Sequence, residues 1–236
     1  MSEIERIRRE IDDLLVPVPI DFGGGCSASK ATVLAYLIKS QNMKRSIDIG
    51  VYRGRSFFPQ AYVHTRYTHG HVFGVDPYSS DEAMEHDHKE LQDEINHFAS
   101  HTDFEALHAD VDAMRTRMEV VTGSTLLRKT ANAAAVDFAA SGEKFGLIHI
   151  DGNHDTESVL GDVANYLPLL DPDNGFLVLD DISWTSVKPA VDRVSGMMAL
   201  LYARVDSHND YAVFWNGKST TKKSRLRKNL ALAAEN

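Results

Sequence analysis

The sequence predicts an α/β fold with a doubly wound, mostly parallel seven-stranded sheet that ends in a C-terminal antiparallel hairpin. From residue 46 onward, short apolar strands alternate with helical stretches, which is typical of a parallel sheet covered by helices on both faces. The last two apolar stretches are separated only by the turn-like pair His208 and Asn209, which favours a hairpin. The seven predicted strands are SIDIG, HVFGVD, MEVVTG, FGLIHID, GFLVLDD, LLYARVDS and DYAVFWNG.

Composition narrows the class of protein. The chain has 236 residues, which suits one large domain, and its net charge of −9 disfavours a nucleic-acid partner. No apolar run approaches the roughly 20 residues that cross a bilayer, and the charged N-terminus lacks the apolar core of a secretion signal. We therefore expect no membrane partner and a cytoplasmic location. Cys26 is the single cysteine, so an internal disulfide and a thiolate zinc cluster are both excluded.

Residues 1–40 predict N-terminal helices joined by a gate loop. An apolar stripe at helical spacing ends at VPVP, because proline cannot continue a helix. The stripe could pack on its own domain or on a second subunit in a homo-oligomer. DFGGGCSASK follows, but Lys30 stands between Ser29 and Ala31, so the order of a phosphate loop is missing. A hinge or substrate gate is the better interpretation. The stripe consists of Ile4, Ile7, Ile11, Leu14 and Leu15.

Residues 41–217 form the predicted core domain, and two further segments differ from it in composition. A long polar insertion at about 78–117 is expected to form a lid, since such insertions at strand ends often carry function. His97 and His101 within it could share a ligand, although a solvated helical face explains them equally well. Residues 218–236 form a basic tail, which is typical of a solvated, mobile extension.

The first strand runs into DIGVYRGRS, which sets Asp48, Gly50 and Gly54 at an acid-x-Gly-x-x-x-Gly spacing. Glycines there let the backbone approach a ligand closely. The G-x-G-x-x-G dinucleotide fingerprint is absent because Tyr52 and Arg53 occupy the positions it requires. Val51 and Tyr52 lie in the same turn and are counted with it as candidate cofactor contacts.

Two further positions complete the candidate cofactor site. Asp76 ends the second strand, where a carboxylate can accept both hydroxyls of a ribose, and Ser124 follows the predicted third strand. Taken together, these positions resemble the class I methyltransferases that use S-adenosylmethionine (SAM), over roughly residues 40 to 215. The resemblance implies a Rossmann-like methyltransferase fold with Asp48 at the methionine end of SAM, Gly50 and Gly54 at the close approach and Asp76 on the ribose. Ser124 is expected near the adenine.

Three acids are expected to meet at the ends of the fourth and fifth strands. Asp151 ends one strand, and Asp180 with Asp181 ends its neighbour about 4.8 Å away. Clustered carboxylates repel one another, and a divalent cation removes that conflict. Oxygen ligands favour Mg²⁺; Ca²⁺ or Mn²⁺ remain open, and zinc fits less well. Asp151 is also a candidate cofactor contact.

His154 lies three residues after Asp151 and is the candidate general base. Its ordinary pKa of about 6.5 suits proton transfer near neutral pH. The alternative is a cap or loop residue at the start of the following helix. His149, inside the strand, is expected to be a core residue.

The stretch DGNH followed by LDD is similar to the metal-dependent sugar O-methyltransferases of the macrocin and mycinamicin type, whose relatives include proteins labelled cephalosporin hydroxylase. That resemblance implies Asp151, Asp180 and Asp181 as magnesium ligands and His154 as the base. Asn153 stands where some relatives have a basic aspartate, so this chain would use the histidine.

These observations predict a SAM-dependent, Mg²⁺-dependent O-methyltransferase acting on a hydroxyl of a sugar or glycosylated small molecule. Methylation of a catechol-like diol is the alternative, because two adjacent oxygens could chelate the same metal. A non-catalytic protein that binds an adenosyl ligand is a third hypothesis. A hydrolase is disfavoured because the chain has no G-x-S-x-G elbow.

Overall fold

The computed structural model describes residues 1–20, 25–87, 91–205 and 210–235. Within these ranges the seven strands form one sheet in the order β3-β2-β1-β4-β5-β7-β6. All neighbours are parallel except β7, which pairs antiparallel with both β5 and β6. This confirms the predicted fold class. The strands are β1 (Arg45–Ile49), β2 (His71–Val75), β3 (Ser124–Leu127), β4 (Leu147–Ile150), β5 (Phe176–Asp180), β6 (Ala199–Arg204) and β7 (Tyr211–Trp215).

Helices cover both faces of the sheet and divide the buried apolar side chains into two clusters. The helices are α1 (Glu3–Leu15), α2 (Ala28–Ser40), α3 (Phe57–Val63), α4 (Ser80–Ala83), α5 (Gln92–His101), α6 (Phe104–Arg117), α7 (Ala131–Ser141), α8 (Thr156–Tyr166), α9 (Lys188–Ser195) and α10 (Thr220–Ala233). Short non-α turns occupy His64–Thr68, Val121–Gly123 and Leu167–Leu169. Among the described residues, no helix is both long enough and apolar enough to cross a membrane.

The N-terminal stripe packs within its own chain. Ile7, Ile11 and Leu15 on α1 are at most 4% exposed, and α1 contacts α2, α3 and α10. Its start is fixed by a capping box in which Ser2 and Glu5 satisfy each other's backbone amides. The single chain thus buries three of the five stripe residues and leaves Ile4 and Leu14 half-buried, and the homo-oligomer stays a prediction. The predicted gate loop lies partly outside the described residues, at 21–24.

The basic tail is a packed helix and not a mobile extension, which corrects the sequence prediction. Leu226 and Leu230 on α10 are at most 2% exposed and join the larger core cluster, while the basic side chains alternate around them. Arg8 on α1 donates to the carbonyl of Leu232, which ties the two terminal helices together. The prediction of a mobile tail relied on the six basic residues and overlooked the helical spacing of the leucines among them.

The third strand was also predicted in the wrong place. The stretch MEVVTG follows α6, where Glu119 has a φ of 58° and ends the helix, and it continues into the short turn Val121–Gly123. The strand begins only at Ser124, opposite Val72 at the start of β2. Ser124 is therefore at the amino edge of the sheet, whereas ligands of such sheets bind at the carboxyl edge.

Candidate active site at the carboxyl edge of the sheet

The turn after β1 brings backbone against backbone. Gly50 has a φ of 80°, and its N–H donates to the carbonyl of Val75 at 3.0 Å. A Cβ at this position would overlap the carbonyl oxygen of Asp151, so only glycine fits between the ends of β1 and β4. Gly54, with a φ of 84°, has a different role: a Cβ there would overlap the ring of Phe58. Gly50 lines the cavity described below, and Gly54 shapes the turn into α3.

Asp48 does not face that cavity, contrary to the prediction that it holds the methionine end of SAM. Its carboxylate is fully buried and accepts hydrogen bonds from Ser56 (2.8 Å), Gln60 (2.9 Å) and His149 Nδ1 (2.6 Å). Asp48 therefore joins β1, β4 and the segment around α3. His149 is fully buried, in agreement with the core position expected for it.

Asp76 lies at the end of β2 and lines the cavity. Its two carboxylate oxygens accept the backbone N–H groups of Tyr52 (2.9 Å) and Tyr78 (2.7 Å). Burial raises the pKa of Asp76, although these backbone hydrogen bonds oppose the shift. The carboxylate thus fixes two neighbouring loops and still presents oxygen lone pairs to a ligand. Val51 and Tyr52 also line the cavity.

Ser124 is not part of the site. It is 2% exposed, donates to the carbonyl of Val120 at 2.7 Å and accepts from Arg115 Nε at 3.2 Å. The sequence prediction followed from the misplaced third strand. The cavity is instead lined after β3 by Thr130, Ala131 and Asn132.

Left-handed backbone follows three of the strands at this edge. Tyr52, Tyr78 and Asp181 have φ values of 48°, 46° and 51°. Such conformations are uncommon for residues other than glycine, and they cluster at functional sites, where the surrounding structure holds them. At Asp181 the consequence is chemical, because the turn separates its carboxylate from that of Asp180.

The three predicted metal ligands do not form a single set in the structure. Among the described residues, two groups have ligand atoms within 4.8 Å of one another: His149, Asp151 and Asp180, and Asp151, His154 and Asp181. Asp151 belongs to both groups, and the other two aspartates lie on either side of it. The sequence placed all three acids at neighbouring strand ends but could not show that their ligand atoms fall into two groups.

A lysine lies among these acids. Lys30 on α2 is 2% exposed; its ammonium contacts Asp180 Oδ2 directly and lies 3.5 Å from Asp151 Oδ2. Burial alone would lower the pKa of Lys30, but the two carboxylates outweigh it and raise that pKa well above its ordinary value. The same ammonium outweighs burial at Asp151 and holds its pKa well below the ordinary range. Lys30 is therefore charged at any physiological pH.

Asp180 is influenced in the opposite direction. Burial, followed by the negative charge of Asp151, raises the pKa of Asp180 well above its ordinary value. Its Oδ1 atom is buried and receives no hydrogen bond from the described residues. Two facing carboxylates need a shared proton or a cation between them.

His154 is held by carboxylates on both ring nitrogens. Nδ1 is 2.7 Å from Glu85 Oε1, and Nε2 is 2.8 Å from Asp181 Oδ2 and 3.9 Å from Asp151 Oδ1. Burial opposes the charged ring, but the negative charge of Asp181 and the acceptance of the ring's hydrogen bonds by the three carboxylates raise the pKa of His154 well above 6.5. This arrangement favours the protonated imidazole. Compensation of the negative charge of its acid partners would favour the neutral ring, which can accept a proton.

The insertion predicted as a lid is hydrogen-bonded to the loop that carries His154. Glu85 of the insertion contacts His154 itself. In addition, the backbone N–H groups of His86 and Asp87 donate to Asp155 Oδ1 at 2.7 and 2.9 Å. Asn153 Nδ2 donates to the carbonyl of Met84 at 2.9 Å. Asp155 occupies the N-cap position of α8, yet its side chain bonds the insertion and not the helix. His154 is therefore not the cap of α8 and lies in the loop that precedes it, as the second half of that alternative predicted.

A cavity of about 960 Å³ joins the glycine turn to the acids. Ligand sites of about 300–1,000 Å³ accommodate small molecules, so this space is large enough for a nucleoside-type donor beside an acceptor. Trp184 packs against His154, with the centroids of the two rings 4.6 Å apart. Apolar side chains form much of the remaining wall; they include Ile20, Leu91, Ile95, Phe98 and Phe104.

Sequence reasoning missed three residues of this site: Lys30, Glu85 and Trp184. Lys30 was noted only as a failed phosphate-loop lysine, and its partner Asp180 is 150 residues away. Glu85 lies in an insertion rich in acids, where no local pattern distinguishes it. Trp184 follows the paired aspartates by three residues, and this proximity was the one available signal.

Comparison with known proteins agrees with this geometry. The sequence profile of a family described as methyltransferase domain matches residues 47–182. The chain matches no curated protein sequence.

Solved structures share the fold at low identity. The O-methyltransferase TomG from Streptomyces achromogenes, involved in tomaymycin synthesis and solved with SAM, is 12% identical, with 92% of this chain and 100% of that chain covered and a TM-score of 0.60. An O-methyltransferase from Bacillus cereus, in complex with S-adenosylhomocysteine (SAH), is 12% identical over 91% and 90% of the two chains, with a TM-score of 0.58. An SAH-bound methyltransferase from Podospora anserina is 15% identical over 93% and 89%, with a TM-score of 0.57.

The profile covers more than half of the chain and runs from inside β1 to just beyond Asp181. It therefore spans the glycine turn, Asp76 and all three aspartates at the strand ends. The chain belongs to the methyltransferase-domain family.

Proposed function

We propose that the chain is a SAM-dependent O-methyltransferase that methylates a hydroxyl of a sugar or glycosylated small molecule. The observation that carries this proposal is the continuous cavity from the Gly50 turn, past Asp76, to Asp151, His154 and Asp181. Support for the donor comes from the similar structures described as bound to SAM or SAH, and support for an oxygen acceptor comes from the two described as O-methyltransferases.

On the donor side, each proposed contact has a physical basis. Gly50 lets the ends of β1 and β4 meet at the cavity, which it lines, and Asp76 offers carboxylate oxygens to the hydroxyls of a ribose. Asp151 carries its negative charge at the same cavity, where it would attract a positively charged sulfonium. These three features suit a ligand with a cationic centre and a ribose.

On the acceptor side, the residues must take up a proton. As the acceptor oxygen attacks the methyl carbon, the C–O bond forms, the C–S bond breaks and the hydroxyl proton leaves. His154 is the proposed base, with Glu85 and Asp181 fixing its two ring nitrogens. Because the surrounding acids favour the protonated ring of His154, the base role requires that the net negative charge around it be reduced.

A divalent cation would provide that compensation, and the residues fit one. Glu85, Asp151, Asp180 and Asp181 outnumber the two cationic side chains Lys30 and His154. The buried Oδ1 of Asp180 also has no hydrogen-bond partner among the described residues. We propose that Asp151, which belongs to both ligand groups, would hold the ion together with Asp180 or with Asp181, and that their oxygen donors favour Mg²⁺. Bound there, such an ion would act as a Lewis acid that stabilises negative charge on the acceptor.

A catechol-like acceptor is the second candidate, and one observation favours it. Trp184 and the apolar wall formed by Leu91, Phe98 and Phe104 provide aromatic and aliphatic surface on which an aromatic ring can pack. A sugar ring can also stack its C–H face on Trp184. Both acceptors carry two neighbouring hydroxyls, so the acid set suits either.

The first experiment is a calorimetric titration of the purified chain with SAM, followed by a methyl-transfer assay with isotopically labelled SAM. A panel of glycosides and catechols supplies the acceptors, with and without Mg²⁺. Saturable SAM binding and labelled product from one acceptor class support the proposal and choose between the candidates. Absence of SAM binding contradicts it, and binding without product on any acceptor favours a non-catalytic binding protein.

A further inference from the structure

Lys30 is the residue of the site whose presence the proposed reaction does not explain. It projects from α2, a helix whose neighbouring positions Ala31, Val33 and Leu34 are fully buried and apolar. A buried ammonium is costly unless it is paired, and here the pairing is with Asp180 and Asp151. An apolar side chain of similar length would pack the same helix without that cost. The charge itself therefore needs a reason.

The position of the ammonium identifies that reason. It contacts Asp180 Oδ2 and lies 3.5 Å from Asp151 Oδ2, so it lies between two of the three acids proposed to hold a divalent ion. It leaves Asp180 Oδ1 without a hydrogen bond from the described residues. The single positive charge of Lys30 thus compensates only part of the negative charge that the acids of this site could carry.

We infer that Lys30 and a divalent cation are alternative counter-ions for Asp151 and Asp180, so that Lys30 weakens the binding of metal to this site. This inference rests on the proposed metal site and deepens it. In the absence of metal, Lys30 keeps the two carboxylates together. When metal binds, the ammonium is repelled from them, and this repulsion reduces the affinity that the acids would otherwise give.

The test is direct binding of Mn²⁺ alone to the purified chain, measured by the electron paramagnetic resonance signal of free Mn²⁺. Lys30→Met removes the charge and keeps the length, and it should bind Mn²⁺ at least tenfold more tightly than wild type. Lys30→Arg keeps the charge and should bind as wild type does. In the Lys30→Met, Asp180→Asn double variant the gain should disappear, because one of the freed carboxylates is gone.

Equal or weaker Mn²⁺ binding by Lys30→Met overturns the inference. Lys30→Gln, which is neutral and can still donate to Asp180, replaces Lys30→Met if thermal unfolding shows that the latter does not fold. If no variant binds Mn²⁺, the inference also fails, since there is no metal for Lys30 to oppose. SAM titration and methyl transfer in the presence of chelator are measured separately, so the proposed transferase activity can stand or fall independently.

Discussion

Gly50 is the position in the site where a side chain would clash most severely with neighbouring backbone. Gly50→Ala places a Cβ into the carbonyl of Asp151 at a φ of 80°, so we expect a loss of more than about 2 kcal/mol in the free energy of unfolding. SAM binding should be lost with it. Urea unfolding and calorimetry measure both effects.

Gly161→Ala is the matched control for this substitution. Gly161 lies inside α8, and a Cβ there meets nothing within 4 Å. Alanine should stabilise this helix by about 0.5–1 kcal/mol and leave SAM binding unchanged. If the two variants behaved alike, the steric argument at Gly50 would be wrong.

Asp76 tests the donor site at the same scale. Asp76→Ala removes a charged hydrogen-bond acceptor worth roughly 1.5–3 kcal/mol, so SAM should bind about 10- to 100-fold more weakly in a calorimetric titration. Asp171→Ala is the control, because Asp171 also accepts two backbone N–H groups, those of Asp173 and Asn174, but lies outside the cavity lining. Equal affinities for SAM in both variants would remove Asp76 from the donor site.

Some residues of the cavity could be predicted from the sequence and others could not. Gly50, Asp76 and Asp151 were placed at the cavity because the carboxyl ends of parallel strands meet at one edge. Asp48 was misjudged, since an acid one residue before the strand end alternates into the core and there finds Ser56 and Gln60. That outcome depends on side-chain partners that no local pattern records.

At the scale of elements, the insertion and the loop after β4 act together. Asp155 Oδ1 accepts the amides of His86 and Asp87, so Asp155→Ala should speed hydrogen exchange at these amides. Peptide-resolved exchange followed by mass spectrometry measures this rate. We expect activity to fall as well, because Glu85 belongs to the same segment and contacts His154.

Asp103→Ala is the control for that experiment. Asp103 caps α6 by accepting the amide of Ala106, so it makes the same kind of contact as Asp155 at the start of a different helix. Its loss should affect exchange at the start of α6 only. Unchanged exchange at residues 84–87 in Asp155→Ala would show that the insertion does not depend on this contact.

Elements were predictable wherever apolar periodicity determined them. The strands β1, β2, β4 and β5 were expected within about two residues of their observed bounds, because each is a short apolar run between turn signals. β3 was not, since Val120 and Val121 look like a strand but follow the end of α6, where Glu119 adopts left-handed backbone. Tertiary packing against β2 selected Ser124–Leu127 instead.

At the scale of the whole molecule, one buried acid should make stability depend on pH. Asp162 on α8 is 6% exposed, and burial raises its pKa from 3.8 to about 7. The folded state therefore binds this proton more tightly than the unfolded state. The resulting stabilisation is complete below about pH 4 and is lost as the pH rises through about 7.

Asp162→Asn should remove this pH dependence. Relative to wild type, the variant should gain up to about 4 kcal/mol in the free energy of unfolding between pH 4 and pH 8. Urea unfolding at both pH values measures the difference, and Asp137→Asn, at an exposed position of α7, serves as the control. A difference between Asp162→Asn and wild type that does not change with pH would contradict the raised pKa.

The type of sheet was predictable for the whole molecule, but the packing of the two terminal helices was not. Alternating strands and helices indicated a doubly wound sheet, and the order β3-β2-β1-β4-β5-β7-β6 bears this out. The terminal helices α1 and α10 pack on each other and on α2, which carries Lys30. Contacts between segments so distant in sequence leave no trace in local composition.

The left-handed backbone at Asp181 gives two adjacent, identical side chains opposite assignments. Asp180 contacts the ammonium of Lys30, and Asp181 contacts the imidazole of His154. Neutralising Asp180 would leave the buried Lys30 without its main partner, whereas neutralising Asp181 would remove one of the two carboxylates that hold the His154 ring. Glycine would adopt a φ of 51° more comfortably than aspartate does. Position 181 is thus one where the residue that best suits the backbone differs from the residue that the chemistry requires.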